Sequence, residues 1–405
     1  MSWVSGVFSK PRTLVGREQQ DVCRACASAT TALQSAQLRN QKKGLVNRDN
    51  GKGDPAFDAS ILDVLRTGVR ITRGNPRLAL RAVRLLRGQQ RAARRRSLEE
   101  SLGLHVPPFV IFSVTGACNL ACAGCYASIL HRAARPEMSD ERVGALFREA
   151  RDLGVSVMLL AGGEPLLRRA LLDDVLAAPE ILFLLFTNGS LLDDGAIRTL
   201  RGASHVIPVL SIEGGKNETD ARRGAGAYER VTAAMTELRA RHVVFGTSTT
   251  LTRSNFEEAT GEAYVRDLTR RGCRLFYYIN YVPVEPGTDE LQLAPDQVAE
   301  LARRLTQYRR TMPALFISFP NDEVAFGGCL AAGKGFLHIN AYGDVEPCPF
   351  SPYSDSNLLE VSFREALASP LFRKIRAEEV TLDETDGRCA LWKRREWVKG
   401  LAEKP

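Results

Sequence analysis

Histidine is scarce in this chain: five copies among 405 residues, at 105, 131, 205, 242 and 338. So wide a dispersal predicts no histidine-based metal site. Long apolar runs are missing too. The longest, Val155–Ala161 and Ile181–Phe186, fall far short of a bilayer-spanning helix. Met1–Pro11 lacks the apolar stretch of an export signal. A soluble, cytoplasmic protein is the expectation. There is no repeat at a solenoid period, no Walker loop, no Ser-His-Asp triad and no cobalamin-binding motif. With 44% hydrophobic and 25% charged residues, disorder, collagen and coiled coil are excluded, and the length predicts more than one folded unit.

The charge is lopsided. Net charge is +8, yet eleven arginines and no lysine or acid lie between Arg66 and Arg96, so the remainder carries a small negative balance. A general nucleic-acid binder would spread its basicity, and no RNA-binding module or stacking-aromatic motif accompanies these arginines. Nucleic acid is therefore disfavoured as a partner. Arg84, Arg87, Arg91 and Arg94–Arg96 share a helical pattern with Val83, Leu85 and Leu86. Such a helix either makes a peripheral contact with an anionic membrane surface through Arg84–Arg96, or packs its leucines on the fold and solvates its arginines, the commoner outcome.

Along the chain, Gly44–Pro55 reads as a linker and Asp58–Leu102 shows helical spacing, broken near Pro76. From Phe109 the rhythm changes. Short β-rich runs (Phe109–Thr115, Val155–Leu160, Ile181–Thr187, Val206–Ile212, Val243–Leu251, Leu275–Val282) alternate with helical patterns near Ser139–Leu153, Arg168–Ala178, Asp193–Arg201, Ala227–Arg241 and Phe256–Arg271. Six alternations imply parallel strands with right-handed crossovers, an α/β sheet or partial barrel. After a helix near Ala294–Arg310 the chain becomes irregular and rich in Gly, Pro and Cys. The expected domains are a basic, mostly helical extension over 1–106, a barrel over 107–313 and a small C-terminal domain over 314–405.

Nine cysteines without an export signal are expected to stay reduced, and clustered thiols then read as metal ligands or catalytic groups. Cys118, Cys122 and Cys125 follow the first strand directly, in the loop at its C-terminal end. Three soft ligands in eight residues suit iron–sulfur or zinc, but structural zinc wants four ligands and no fourth is nearby. At the end of the second strand stands Ala161-Gly162-Gly163-Glu164-Pro165, where two glycines let backbone approach a ligand and Glu164 offers a carboxylate to an ammonium group. Other strand ends contribute Asn188, Ser211 and Glu213, with Ser248 and Thr249 as weaker candidates. Asp220, Arg222 and Arg223 follow, as ligand contacts or a helix-capping cluster.

The C-x3-C-x2-C-aromatic spacing with a downstream GGEP resembles the radical SAM superfamily. That resemblance implies a partial (β/α)6 TIM-type barrel in which Cys118, Cys122 and Cys125 hold a [4Fe-4S] cluster with one iron open to S-adenosylmethionine. Tyr126 would lie against the adenine, with Gly162, Gly163, Glu164, Asn188, Ser211, Glu213 and Arg223 around the cofactor. Reductive cleavage would give a 5′-deoxyadenosyl radical that abstracts hydrogen from substrate, the electron coming from a flavodoxin- or ferredoxin-like reductant. Cys329, followed by thirteen residues, Gly343, four residues and Cys348, resembles the opening of the SPASM and twitch extensions, with the glycine permitting a hairpin between His338-Ile339-Asn340 and Val345. Only Cys389 lies beyond, whereas the full extension has many more cysteines. Three cysteines imply one auxiliary [4Fe-4S] cluster, with zinc as a plainer occupant. Its fourth ligand could be substrate, a side chain, Cys273 or the Cys23/Cys26 pair, although Cys273 reads more simply as a buried hydrophobe. The resulting expectation is an oxidoreductase-type enzyme acting on a small or lipid-like anionic metabolite by dehydrogenation, crosslinking or epimerisation. Two alternatives stand beside it: a maturase of a ribosomally made peptide, and a non-enzymatic iron–sulfur electron carrier.

Overall fold

The computed structural model describes residues 76–131, 135–326, 328–377 and 388–403. Cys23, Cys26 and the linker expected at Gly44–Pro55 lie outside the described residues. Nine strands form one sheet: β1 (Phe109–Thr115), β2 (Val157–Gly162), β3 (Leu182–Thr187), β4 (Val206–Ser211), β5 (Phe245–Leu251), β6 (Cys273–Asn280), β7 (Leu315–Phe319), β8 (Phe336–Ile339) and β9 (Val345–Glu346). Their order is β7-β6-β5-β4-β3-β2-β1-β8-β9. Every neighbouring pair is parallel except β8–β9. The first six strands lie side by side in chain order with helices between them, as expected of a partial barrel of the TIM type. Since β1–β8 run the same way, their C-terminal ends share one edge of the sheet.

Both faces of the sheet are buried, which is why these strands read as nearly continuous apolar runs rather than as alternations. Along β2, Met158 and Leu160 pack into the large core beneath the helices, while Val157 and Leu159 turn the other way. There they meet Leu184, Val209, Leu275 and Tyr277, the apolar filling of the inner face. Two strands join this frame from beyond the six expected. β7 pairs with β6, and β8 comes back to lie against β1 on the side away from β2, so that Phe109 meets Phe336 and Phe112 meets Ile339. The pairing of β8 with β1 carries the expected hairpin to the edge of the first cysteine loop.

Helix ends follow the local chemistry. Ser139 accepts the Arg142 N–H and starts the helix Asp140–Leu153. The single helix expected over 256–271 is instead two, Phe256–Thr260 and Glu262–Arg271, because Gly261 takes an extended backbone. The helix Pro76–Ser101 lies along this region through three polar side chains. Gln89 donates to Ser156 O, Arg95 to Arg151 O and Arg96 to Gly154 O, at 2.8, 2.7 and 2.6 Å. The last two neutralise the carbonyl end of helix Asp140–Leu153, where cations are favourable. Arg95 and Arg96 are thus held within the fold rather than solvated, while Arg87, Arg91 and Arg94 of the same helix are exposed. Among the described residues no helix is long and apolar enough to cross a membrane.

Arg96→Ala removes a buried, charge-assisted bond and should lower the unfolding free energy by about 1.5–3 kcal/mol in denaturant titrations. Arg87→Ala, at an exposed position, should change it by less than about 0.5 kcal/mol.

Candidate cofactor site

The loop that leaves β1 is fastened to the end of β2 by main-chain bonds. Gly163 N donates to Thr115 O at 2.7 Å and Glu164 N to Ala117 O at 2.9 Å. The approach is so close that a Cβ on Gly163 would overlap Ala117 O, and one on Gly162 would overlap Thr115 O. Gly162 also takes φ +115°, which a side chain would strain. Two further ties hold the rest of the loop. Asn188, just past β3, donates through Nδ2 to Asn119 Oδ1 at 2.8 Å, and Ala123 N donates to Arg222 O at 2.8 Å. Cys118, Cys122 and Cys125 are therefore carried by a loop gripped from β2, from β3 and from the helix after β4. Cys118 is exposed, and Cys122 and Cys125 are half-buried.

Glu164 is 1% exposed and its carboxylate is turned into the fold. Oε1 accepts from Leu166 N (3.1 Å) and the Thr187 hydroxyl (2.7 Å), and Oε2 from Asn188 N (2.8 Å). Burial pushes its pKa up, against these three donors. A carboxylate has about four acceptor positions, so one is left, on Oε2, for an incoming ammonium. Thr187 carries a single signal in sequence, its place as the last residue of β3.

Glu213, expected among the cofactor contacts, is met here by protein groups. It is fully buried and faces protein cations: Arg222 Nη1 donates to Oε1 at 2.8 Å, Arg223 Nε to the same oxygen at 2.6 Å, and Thr250 N to Oε2 at 3.0 Å. Burial alone would raise its pKa, but the two guanidinium groups outweigh that and hold the carboxyl below the usual range. Two arginines against one carboxylate leave a surplus positive charge beside the cysteine loop. Burial raises the Cys122 thiol, and Arg223 and Arg222 offset part of that rise. Asp220 is spent elsewhere, on Lys216 (2.7 Å) and Tyr228 N (2.9 Å), so it belongs to the capping alternative. Ser211, the last residue of β4, faces Ser248 in the middle of β5 at 3.3 Å, and Thr249 bonds Ile212 O at 2.7 Å.

Tyr126 faces the other way along the loop. Its ring packs 5.0 Å from Phe350 and edge-on to His131, turned toward the C-terminal segment. The second thiol set stands there. Cys348, just past β9, is in hydrogen-bonding contact with Cys389, and Cys329 is close enough to raise its pKa further, after burial as the main cause. The hairpin that presents Cys348 is the expected one, with His338 opposite Glu346, Ile339 opposite Val345, and Gly343 at φ +90° in the turn. Cys273 does not join either set. It is buried at the start of β6, the opposite end of the sheet, where its thiol donates to Leu275 O and burial raises its pKa to about 11.

Both sets fit a multi-iron group better than a single ion. Thiolates around one zinc lie within about 4 Å of one another. Among the described residues the one group of donors gathered closely enough for a single ion is His131, His338 and Glu346, and it includes no cysteine. A cluster held by three soft ligands suits the wider frame.

The radical SAM superfamily profile matches residues 112–260, and the SPASM profile, described as an iron-sulfur cluster-binding domain, matches residues 329–390. The chain is 26% identical over 317 residues to an AdoMet-dependent heme synthase of Methanosarcina barkeri, covering 71% of this chain and 88% of that one. It is 24% identical over 281 residues to the sporulation killing factor maturation protein SkfB of Bacillus subtilis, covering 67% of each. In fold it resembles Streptococcus suis SuiB bound to S-adenosylmethionine, with TM-score 0.59 and 18% identity over 81% of this chain and 80% of that one.

Gly163→Ala should push the cysteine loop off the β2 turn. Iron bound per chain after anaerobic reconstitution should fall by about half, one of two clusters, while far-UV circular dichroism is unchanged.

Proposed function

The chain belongs to the radical SAM superfamily and carries a SPASM-type iron–sulfur domain, and from that premise we propose that it removes a hydrogen atom from an unactivated C–H bond of a small or lipid-like anionic metabolite. When bound, the [4Fe-4S] cluster and S-adenosylmethionine together supply the oxidising power, through reductive cleavage to a 5′-deoxyadenosyl radical. Cys118, Cys122 and Cys125 would hold that cluster. Gly162 and Gly163 open the backbone beside it, and the spare acceptor of Glu164 receives an ammonium group. Asn188 and Ser211 line the adjoining strand ends. Cys329, Cys348 and Cys389 would hold the auxiliary cluster. A flavodoxin- or ferredoxin-like protein is the proposed electron donor, and the proposed domain boundaries are 1–106, 107–313 and 314–405.

The observation that carries the reading is the cysteine loop pinned at backbone distance to the GGEP turn, with Arg222 and Arg223 beside it as cationic groups for anions at the same mouth. The similarity to a heme synthase supports a small anionic substrate, since heme bears carboxylates. The similarity to SkfB supports a second reading, a maturase of a ribosomally made peptide. Dehydrogenation, crosslinking or epimerisation would follow from what the substrate radical does next.

The reconstituted, reduced protein should form 5′-deoxyadenosine from S-adenosylmethionine slowly when alone. It should do so faster with a peptide-free small-molecule fraction from deuterium-grown cells, with deuterium entering the product. Stimulation confined to the peptide fraction would instead favour the second reading. Cys122→Ala should abolish product formation while the absorption of the C-terminal cluster persists; product from that variant contradicts the assignment.

A further inference from the structure

We propose that His131, His338 and Glu346 form a mononuclear site for a divalent first-row transition metal, distinct from both thiol sets. It would tie the helix after the first cysteine loop to the β8–β9 hairpin. Their donor atoms lie within 4.8 Å of one another and all three residues are buried. His131 ends the segment of helix Tyr126–Leu130, while His338 and Glu346 face each other across the hairpin. The two imidazole centroids are 4.9 Å apart.

The atoms turned away from the shared centre are each anchored. His131 Nε2 lies 2.7 Å from Pro349 O, and a carbonyl can only accept, so the ring proton sits on Nε2. His338 Nε2 is 2.8 Å from the Ser113 hydroxyl on β1, and Glu346 Oε1 accepts from Asn340 Nδ2 at 2.7 Å. This is the arrangement that ligating histidines adopt, with the outer nitrogen hydrogen-bonded and the inner one bare. The inner nitrogen of His131 is bare. Nδ1 is buried with no hydrogen-bond partner, 3.7 Å from Glu346 Oε2. A neutral imidazole lone pair left dry in the interior forfeits its hydrogen bond to water unless something electrophilic meets it.

The third contact shows what the ion would displace. His338 Nδ1 and Glu346 Oε2 are 2.6 Å apart and share one proton. That spacing is a hydrogen bond, shorter than the separation of two ligands on one ion, so entry of a metal expels the proton and the carboxylate turns toward the ion. All three residues are buried, so a cation entering here meets donors already withdrawn from water. Arg135 is already paired with Asp344. Two imidazoles and a carboxylate suit zinc, iron(II) or manganese rather than a soft ion, and three protein ligands leave a position open.

The test uses the full chain with both clusters loaded, so that the thiols are occupied, and needs no turnover. Its result therefore stands apart from the proposed reaction. Zinc chloride is added, loose metal is stripped on a chelating column, and zinc and iron are counted by mass spectrometry. The wild type should retain about one zinc per chain, with only nitrogen and oxygen neighbours at the zinc K-edge. The zinc-to-iron ratio should fall at least about ten-fold in both His131→Ala and Glu346→Gln. Absence of retained zinc in the wild type, sulfur in its coordination shell, or an unchanged ratio in both variants overturns the proposal.

Discussion

Everything at the mouth of the barrel depends on two main-chain hydrogen bonds that admit no side chain between them. Gly163 N on Thr115 O and Glu164 N on Ala117 O bring the cysteine loop against the end of β2 at backbone distance. Only glycine fits that approach. A parallel sheet brings the ends of β1, β2 and β3 to one edge, but it does not by itself fix a loop beyond them. The two bonds do, with Asn188–Asn119 and Ala123–Arg222 holding the remainder. Three thiols on a free loop would lose much conformational entropy on converging; here most of that cost is met when the sheet forms.

Charge is arranged with the same economy. Glu164 is buried without a cation in contact, yet three donors satisfy it. Glu213 is buried with two cations, one more than it can neutralise. The excess is felt in the space around Cys122. Removing Glu213 would leave both guanidinium groups unpaired in the interior, a costlier change than its distance from the thiols suggests.

Much of this was legible in the sequence. β1 stands at its expected residues because its apolar run ends in a recognisable loop motif, and the GGEP turn was readable because close backbone approach demands glycine. The hairpin before Cys348 was readable through Gly343. What escaped was anything set by partners distant in the chain. Glu213 looks like a strand-end ligand until Arg222 and Arg223 are seen to turn inward. Tyr126 turns toward Phe350, which lies far along the chain in the C-terminal segment. Arg95 and Arg96 read as a solvated basic face, though they cap another helix. The five histidines looked dispersed, but β8 returns to β1 and sets His338 beside His131. Spacing rules report local neighbours, and these pairings are tertiary.

The central claim is that the Cys118–Cys122–Cys125 cluster leaves one iron without a protein ligand. The most direct measurement is the electron paramagnetic resonance spectrum of a reduced Cys348→Ala variant, which keeps that cluster and loses the other, recorded with and without S-adenosylmethionine. The account predicts that the spectrum shifts when the sulfonium compound is added, because its amino and carboxylate groups occupy the open iron. A spectrum identical in both samples would mean that the iron is already saturated by the protein, and would contradict it.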